Sequence, residues 1–138
     1  MRVETQLSVF LENKAGVLAH LARDLARNAV SIRALTIANL SDHAVIRLVV
    51  SDARKALHLL GERGVLAVTS EVIAVDLPNE AGALAEIAQR LGRAGVNIDY
   101  AYGSCPPDAA SGPLYVHVSD LKKARALLRV PLRARRRR

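Results

Sequence analysis

Residues 11–32, LENKAGVLAHLARDLARNAVSI, return sixty-six positions later as residues 77–98, LPNEAGALAEIAQRLGRAGVNI, with eleven of the twenty-two positions identical. A second echo follows in each half: SDARKALHLL from Ser51 and SDLKKARALL from Ser119 share six of ten residues. Self-similarity on this scale makes the chain two copies of one supersecondary unit, so both fold and function must be ones that a duplicated module can serve.

Each copy reads in the same order. Residues 5–11 alternate, with Leu7, Val9 and Leu11 on one side, the period of a half-buried strand. Residues 15–28 then place Leu18, Leu21, Ala22 and Leu25 at spacings of three and four, predicting a helix with that stripe on a sheet and with His20, Arg23, Asp24 and Arg27 in water. Residues 30–40 predict a β-branched strand, Ser41-Asp42 a tight turn, and residues 43–50 its hairpin partner. Ser51 or Asp52 can cap a second helix that turns Ala56, Leu59 and Leu60 inward and ends between Gly61 and Gly64. Residues 65–77 form an extended stretch too long for one ordinary strand, which puts the module boundary near Thr69-Ser70.

The second half repeats the order: a strand over 71–77, a helix over 81–94 with Leu84, Ile87, Ala88 and Leu91 inward, strands over 96–103 and 114–118, and a helix from Ser119. A loop, Cys105-Pro106-Pro107-Asp108-Ala109-Ala110-Ser111-Gly112-Pro113, replaces the short hairpin turn of the first copy. The last strand has only Val130, Pro131 and Leu132 to work with, and is therefore short, an edge, or absent. The prediction is an α+β chain of two ferredoxin-like βαββαβ modules, antiparallel sheets with the helices on one face, over residues 1–69 and 70–132. Residues 133–138 form a basic tail read as disordered.

The net charge of +7 suggests a polyanion partner until it is located: Arg133, Arg135, Arg136, Arg137 and Arg138 carry five of those charges, leaving +2 for the rest. With no Trp, one Phe and three Tyr, stacking platforms for bases are scarce, which weighs against nucleic acid as a partner. The single cysteine, Cys105, cannot close an intramolecular disulfide or assemble a metal site with the four histidines, and fits a reducing compartment. No run of eighteen apolar residues and no signal-peptide pattern occurs, so a cytoplasmic protein without a membrane partner is expected. No activated nucleophile, clustered carboxylates or metal-ligand spacing stands out, and neither catalysis nor a metal or cofactor is called for.

The element that can carry chemistry is Asn-x-Ala-Gly-x-Leu, at residues 13–18 and again at 79–84, where the first strand of each copy turns into its helix. Gly permits tight backbone conformations there and leaves the first-turn N–H groups approachable, and those groups with the helix dipole favour a carboxylate or phosphate oxygen. Asn at such a turn can cap the helix, so the same residues also have a purely structural reading, and their presence in both copies does not separate the two.

The strand followed by Asn-x-Ala-Gly-x-Leu, the helix ends Arg-Asn-Ala-Val-Ser-Ile-Arg-Ala-Leu and Arg-Ala-Gly-Val-Asn-Ile-Asp-Tyr, and the βαββαβ order resemble tandem ACT domains. Residues 35–50 and 98–102 resemble the stand-alone bacterial proteins with two such domains. That resemblance implies a small-molecule binding regulatory protein whose effector, a free amino acid, sits at the interface between modules. The seats it implies are Asn13, Ala15, Gly16, Val17 and Leu18, and Asn79, Ala81, Gly82, Ala83 and Leu84. The opposing wall would be Ile32, Ser41, Asp42 and His43, and Asn97, Ile98, Tyr100 and Tyr102, with the effector's carboxylate on N–H groups and its ammonium on a carbonyl or Asp42. It further implies a homodimer or a partner enzyme. The family often has Pro before the Gly, where this chain has Ala15 and Ala81, and Lys14 and Glu80 occupy equivalent positions of the two copies with opposite charge, so the two seats are expected to differ. A reading from another class is a protein or RNA interaction module that uses the open sheet face and the arginine tail.

Overall fold

The computed structural model describes residues 1–132; the expectation for the arginine tail lies outside the described residues. In chain order the elements are β1 (Arg2–Glu12), α1 (Val17–Arg27), β2 (Ile32–Leu40), β3 (His43–Val50), α2 (Ala53–Glu62), β4 (Ala67–Pro78), α3 (Ala83–Arg93), β5 (Ile98–Gly103), β6 (Ser111–Val118) and α4 (Leu121–Leu128). The chain forms two compact units, one of residues Thr5–Ser70 and one of Met1–Glu4 with the chain from Glu71 on. The sequence division after residue 69 leaves Met1–Glu4 with the first module, whereas these four residues pack with the second unit.

In the first unit β1 lies antiparallel to β3, from Gln6 opposite Val49 to Glu12 opposite His43, and β3 lies antiparallel to β2, with Ile37 opposite Ile46. The end of the unit returns along the free side of β1, where the Phe10 N–H donates to the Leu66 carbonyl at 3.0 Å and Gln6 Nε2 donates to Ser70 Oγ at 3.3 Å. Alternation puts Leu7 and Val9 of β1 and Ile46, Leu48 and Val50 of β3 on one face, where Leu21 and Leu25 of α1 and Ala56 and Leu60 of α2 close the core. Of the two capping candidates, Asp52 accepts the Lys55 N–H at 3.0 Å, while Ser51 Oγ accepts the Ser31 N–H.

The second unit repeats this construction. β6 lies between β4 and β5, antiparallel to both, with Ile73 opposite Val116 and Ala101 opposite Val116 on its other side. Ile73, Val75, Val116 and Val118 meet Ile87 and Leu91 of α3 and Ala124 and Leu128 of α4. Asp120 caps α4 through the Lys123 N–H, so the helix begins after Asp120 rather than at Ser119, whose hydroxyl accepts the Asn97 N–H.

Two sequence expectations are corrected. Of the expected stripe of α1, Leu21 and Leu25 are buried and Ala22 is half-buried like Val17, whereas Leu18 is exposed and Asp24, expected in water, is buried. Leu18 and Leu84 are exposed at equivalent positions, Ala88 is exposed, and Ala83 is buried in the place of Val17. Helix periodicity alone fits either set, and the turn by which the chain enters the helix selects between them. β6 begins at Ser111, so Ser111, Gly112 and Pro113 belong to the strand rather than the loop, with Pro113 opposite Asp76. Of the alternatives for the last strand, absence holds among the described residues: the carbonyls of Val130 and Pro131 accept hydrogen bonds from Arg90 instead of entering a ladder.

Candidate functional site

Gly16 and Gly82 are the N-cap residues of α1 and α3, with φ of 88° and 91°, and neither helix receives a side-chain cap. The left-handed region is where a Cβ is penalised, so the glycines are needed for conformation; at Gly16 a Cβ would meet nothing within 4 Å. The expected Asn cap is therefore not formed. Asn13 Nδ2 donates to Asn39 Oδ1 at 2.8 Å, and Asn79 Nδ2 donates to the carbonyls of Pro106, Pro107 and Ala109 at 3.2, 3.3 and 2.9 Å. Each Asn ties the end of its first strand to the neighbouring hairpin tip. The first helical hydrogen bonds run from the His20 N–H to the Gly16 carbonyl and from the Glu86 N–H to the Gly82 carbonyl, both 3.0 Å. The N–H groups of Leu18 and Ala19, and of Leu84 and Ala85, precede those bonds and are left to an external acceptor, which is what an anion seat requires.

The walls differ in chemistry. In the first unit Ser41 takes φ 45° at the hairpin tip and His43 Nδ1 lies 2.9 Å from Asp42 Oδ1, a contact that holds the Asp42 carboxyl below the ordinary aspartate range. Ile32 packs against the core. In the second unit Asn97 Nδ2 donates to Asp99 Oδ1 at 2.9 Å, Tyr100 stacks on His117 at 4.9 Å and Tyr102 on Tyr115 at 5.3 Å. Ile98 packs against the core. Tyr115 and His117 alternate along β6 with the core residues Leu114, Val116 and Val118, so both aromatic pairs lie on the face away from the helices.

Of the expected seat residues, the structure brings Ala15, Gly16, Val17 and His43 to one cavity of about 1040 Å³ inside the first unit. Asn13, Leu18, Ile32, Ser41 and Asp42 do not line it. Ala81, Gly82 and Ala83 line a recess of about 40 Å³ in the second unit, Gly82 also borders a cavity of about 840 Å³ with Glu86 and Arg90, and Asn79, Leu84, Asn97, Ile98, Tyr100 and Tyr102 line neither.

A family model described as an ACT domain pair matches residues 1–127. The chain belongs to the ACT domain pair family. Among solved structures, a protein from Bacteroides thetaiotaomicron is 32% identical, with a TM-score of 0.86 over 92% of this chain and 87% of that one. The regulatory subunit of aspartate kinase from Thermus thermophilus, in a ligand-free form, is 17% identical, with a TM-score of 0.67 and 94% of both chains covered. The corresponding subunit from Thermus flavus is 15% identical, with a TM-score of 0.63 over 93% of this chain and 92% of that one. At these lower identities the likeness is one of fold. No curated protein matches the chain.

Three residues of this ACT domain pair that sequence reasoning placed in water or left aside meet at the cavity: His20, Asp24 and Arg63. Asp24 is buried, its Oδ2 3.2 Å from Arg63 Nη1 and 3.6 Å from His20 Nε2, while its Oδ1 is buried without a hydrogen-bond partner. The repeat itself carried a signal for them, because the copy of Asp24 is Arg90 and the copy of His20 is Glu86. Arg90 makes a 2.6 Å ion pair with Glu86 and donates to the carbonyls of Leu127, Val130 and Pro131. The two modules thus carry opposite charges at one helical position. Among the described residues no group of three or more His, Cys, Asp or Glu is placed to hold a metal ion, and no helix is long and apolar enough to cross a membrane.

Proposed function

We propose that this ACT domain pair is a regulatory protein that binds a free amino acid at its Gly turns, the effector lying between modules as the family resemblance implies, and passes that occupancy to a second copy or to a partner enzyme. The observation that carries the reading is the pair of uncapped helix N-termini, opened by Gly16 and Gly82 in left-handed conformation, which offer N–H groups to a carboxylate. Membership in the ACT family supports a regulatory role, and the structural likeness to proteins described as regulatory subunits of aspartate kinase agrees with it. In this reading Asn13, Ala15, Gly16, Val17 and Leu18 form one seat and Asn79, Ala81, Gly82, Ala83 and Leu84 the other. Ile32, Ser41, Asp42 and His43, and Asn97, Ile98, Tyr100 and Tyr102, form the facing walls. Nothing in it requires catalysis.

A thermal-shift screen of the twenty amino acids tests it. A ligand at a hundred times its dissociation constant stabilises the folded chain by about 2.7 kcal/mol, which reads as a clear upward shift in Tm. Gly16→Glu and Gly82→Glu put a carboxylate where the effector's carboxylate would sit, and should abolish the shift. A flat response across the panel, unchanged by either variant, defeats the reading.

A further inference from the structure

The positive charge of the chain is gathered at one end of the second unit. Residues 121–138 hold nine Lys and Arg and no Asp or Glu, so against a net charge of +7 the preceding 120 residues sum to −2. Four of the nine, Lys122, Lys123, Arg125 and Arg129, lie on α4 and at its C-cap, and all four are exposed. Lys122, Arg125 and Arg129 follow spacings of three and four, which puts them on one helix face, where with Leu121 and Ala126 they line a groove of about 500 Å³. None of the three forms an ion pair with another described residue. Arg93 of α3 is exposed at a neighbouring cavity that shares Ala126, so the basic face continues onto the second helix. The fold does not require this charge. In the first module the positions of Lys122, Arg125 and Arg129 hold Arg54, Leu57 and Gly61, yet α2 packs on its sheet through Ala56 and Leu60 as α4 does through Ala124 and Leu128. Like charges one turn apart weaken a helix, and a face of them without counter-charge is the electrostatic footprint of an anionic partner.

We propose that this helix face of the second unit binds the phosphodiester backbone of a nucleic acid without reading its sequence, the cations of α4 forming the docked part of the contact and Arg133, Arg135, Arg136, Arg137 and Arg138 adding to it. Seven of the nine cations are Arg, whose planar fork matches phosphate oxygens two at a time. A lipid surface fits less well, because a helix lying in a membrane interface buries its apolar face there, and the apolar face of α4, Ala124 and Leu128, is already in the core. An acidic protein also fits less well: the groove has no aromatic or exposed large apolar side chain in its lining to serve as an anchor. The scarcity of aromatic residues weighs against stacking on bases and leaves contact with the backbone untouched. None of these residues belongs to either Gly-turn seat, so the proposal stands or falls independently of amino-acid binding.

Fluorescence anisotropy of the full chain with a labelled DNA duplex and a labelled single-stranded RNA, both of mixed sequence, from about 50 to 200 mM salt, tests the proposal. Both should bind, with the logarithm of the affinity falling linearly against the logarithm of the salt concentration. Lys122→Gln, Arg125→Gln and Arg129→Gln together remove three phosphate contacts, and should lower the steepness of that line by roughly 2 to 3 and the affinity by at least about tenfold. Arg54→Gln, at the first module's copy of Lys122, should leave both unchanged. Should the triple variant fail to fold, Arg125→Gln alone replaces it, with an expected change in slope of about 0.7 to 0.9. The proposal is overturned if neither nucleic acid binds at the lowest salt, or if the α4 variants keep the native slope, which would leave the contact to the terminal arginines alone. It is overturned equally if vesicles containing phosphatidylserine, or poly-L-glutamate, bind more tightly than the nucleic acids at equal charge concentration, the partner then being a membrane or an acidic protein.

Discussion

Arg63 Nη1 lies 3.2 Å from Asp24 Oδ2, joining the turn that follows α2 to the third turn of α1. The two partners are unequally placed: about half of the Arg63 side chain is exposed, whereas 9% of the Asp24 side chain is. Removing the arginine therefore strands a buried charge, while removing the aspartate leaves a guanidinium that water can reach. Arg63→Leu should cost about 1–2 kcal/mol in urea unfolding, reduced from the fully buried case by the exposure of the pair. Asp24→Leu, which also deletes the unpartnered oxygen, should be neutral or stabilising, because a well-packed apolar side chain replaces a poorly compensated ion. If Asp24→Leu proves the more harmful of the two, the carboxylate is a structural element and not an unsatisfied one.

Gly16 and Gly103 are glycines for different reasons, and substitution should separate them. At Gly16 the constraint is a φ of 88° with open space around the missing Cβ, so Gly16→Ala should lose about 1–2 kcal/mol from left-handed strain. At Gly103 the Cβ would fall 2.3 Å from the Pro113 carbonyl oxygen and 3.0 Å from the Leu114 Cα. Those neighbours are backbone in the partner strand and cannot step aside, so Gly103→Ala should lose at least about 2 kcal/mol and disturb the β5–β6 register. Equal losses, measured by chemical denaturation, would mean that the hairpin relaxes more readily than its backbone contacts allow.

Asn79 holds the long hairpin tip of the second unit through one amide reaching three carbonyls. These bonds are exposed, so Asn79→Ala should reduce global stability by only about 1 kcal/mol. The local effect should be plainer: amide exchange across residues 106–110 should quicken roughly fivefold, while the α3 helix, whose cap is Gly82, should keep its protection. Loss of protection in the first turn of α3 instead would restore the idea that Asn79 caps the helix.

Much of the fold was legible because the repeat doubled every signal. Period-two alternation located Leu7 and Val9, and the Ser-Asp pair after the first hairpin located the cap of α2 at one of two residues. What escaped is what periodicity cannot fix. A helix with apolar residues at 17, 18, 21, 22 and 25 can turn either of two stripes inward, and only the left-handed entry at Gly16 shows that Asp24 rides with Leu21 and Leu25. The Asn of the Gly turn carried two local possibilities, and a hairpin tip distant in sequence took it from the helix. The missing last strand was visible as a weakness in Val130, Pro131 and Leu132, but not that Met1–Glu4 would belong to that unit, since pairing between distant segments leaves no local pattern. The site residues Asp24 and Arg63 were hidden for the same reason, although the contrast of Asp24 with Arg90 was open to inspection.

Asp99 offers a test by pH. Its carboxyl is held below the ordinary aspartate range, first by the hydrogen bond from Asn97 Nδ2 and then by the His117 ring, whose Nδ1 lies 2.8 Å from Oδ2. A depressed folded value means that the folded chain binds the proton less readily than the unfolded chain. Whatever stability the contact provides is present above the ordinary carboxyl value, near pH 4, and is lost as the pH falls through the lower folded value. Side-chain carboxyl NMR should therefore place the Asp99 midpoint below that of an unperturbed aspartate. Asn97→Ala should raise it more than His117→Phe, which removes the ring nitrogen but keeps an aromatic ring against Tyr100. If His117→Phe has the larger effect, the contact with the imidazole rather than the Asn97 amide governs Asp99.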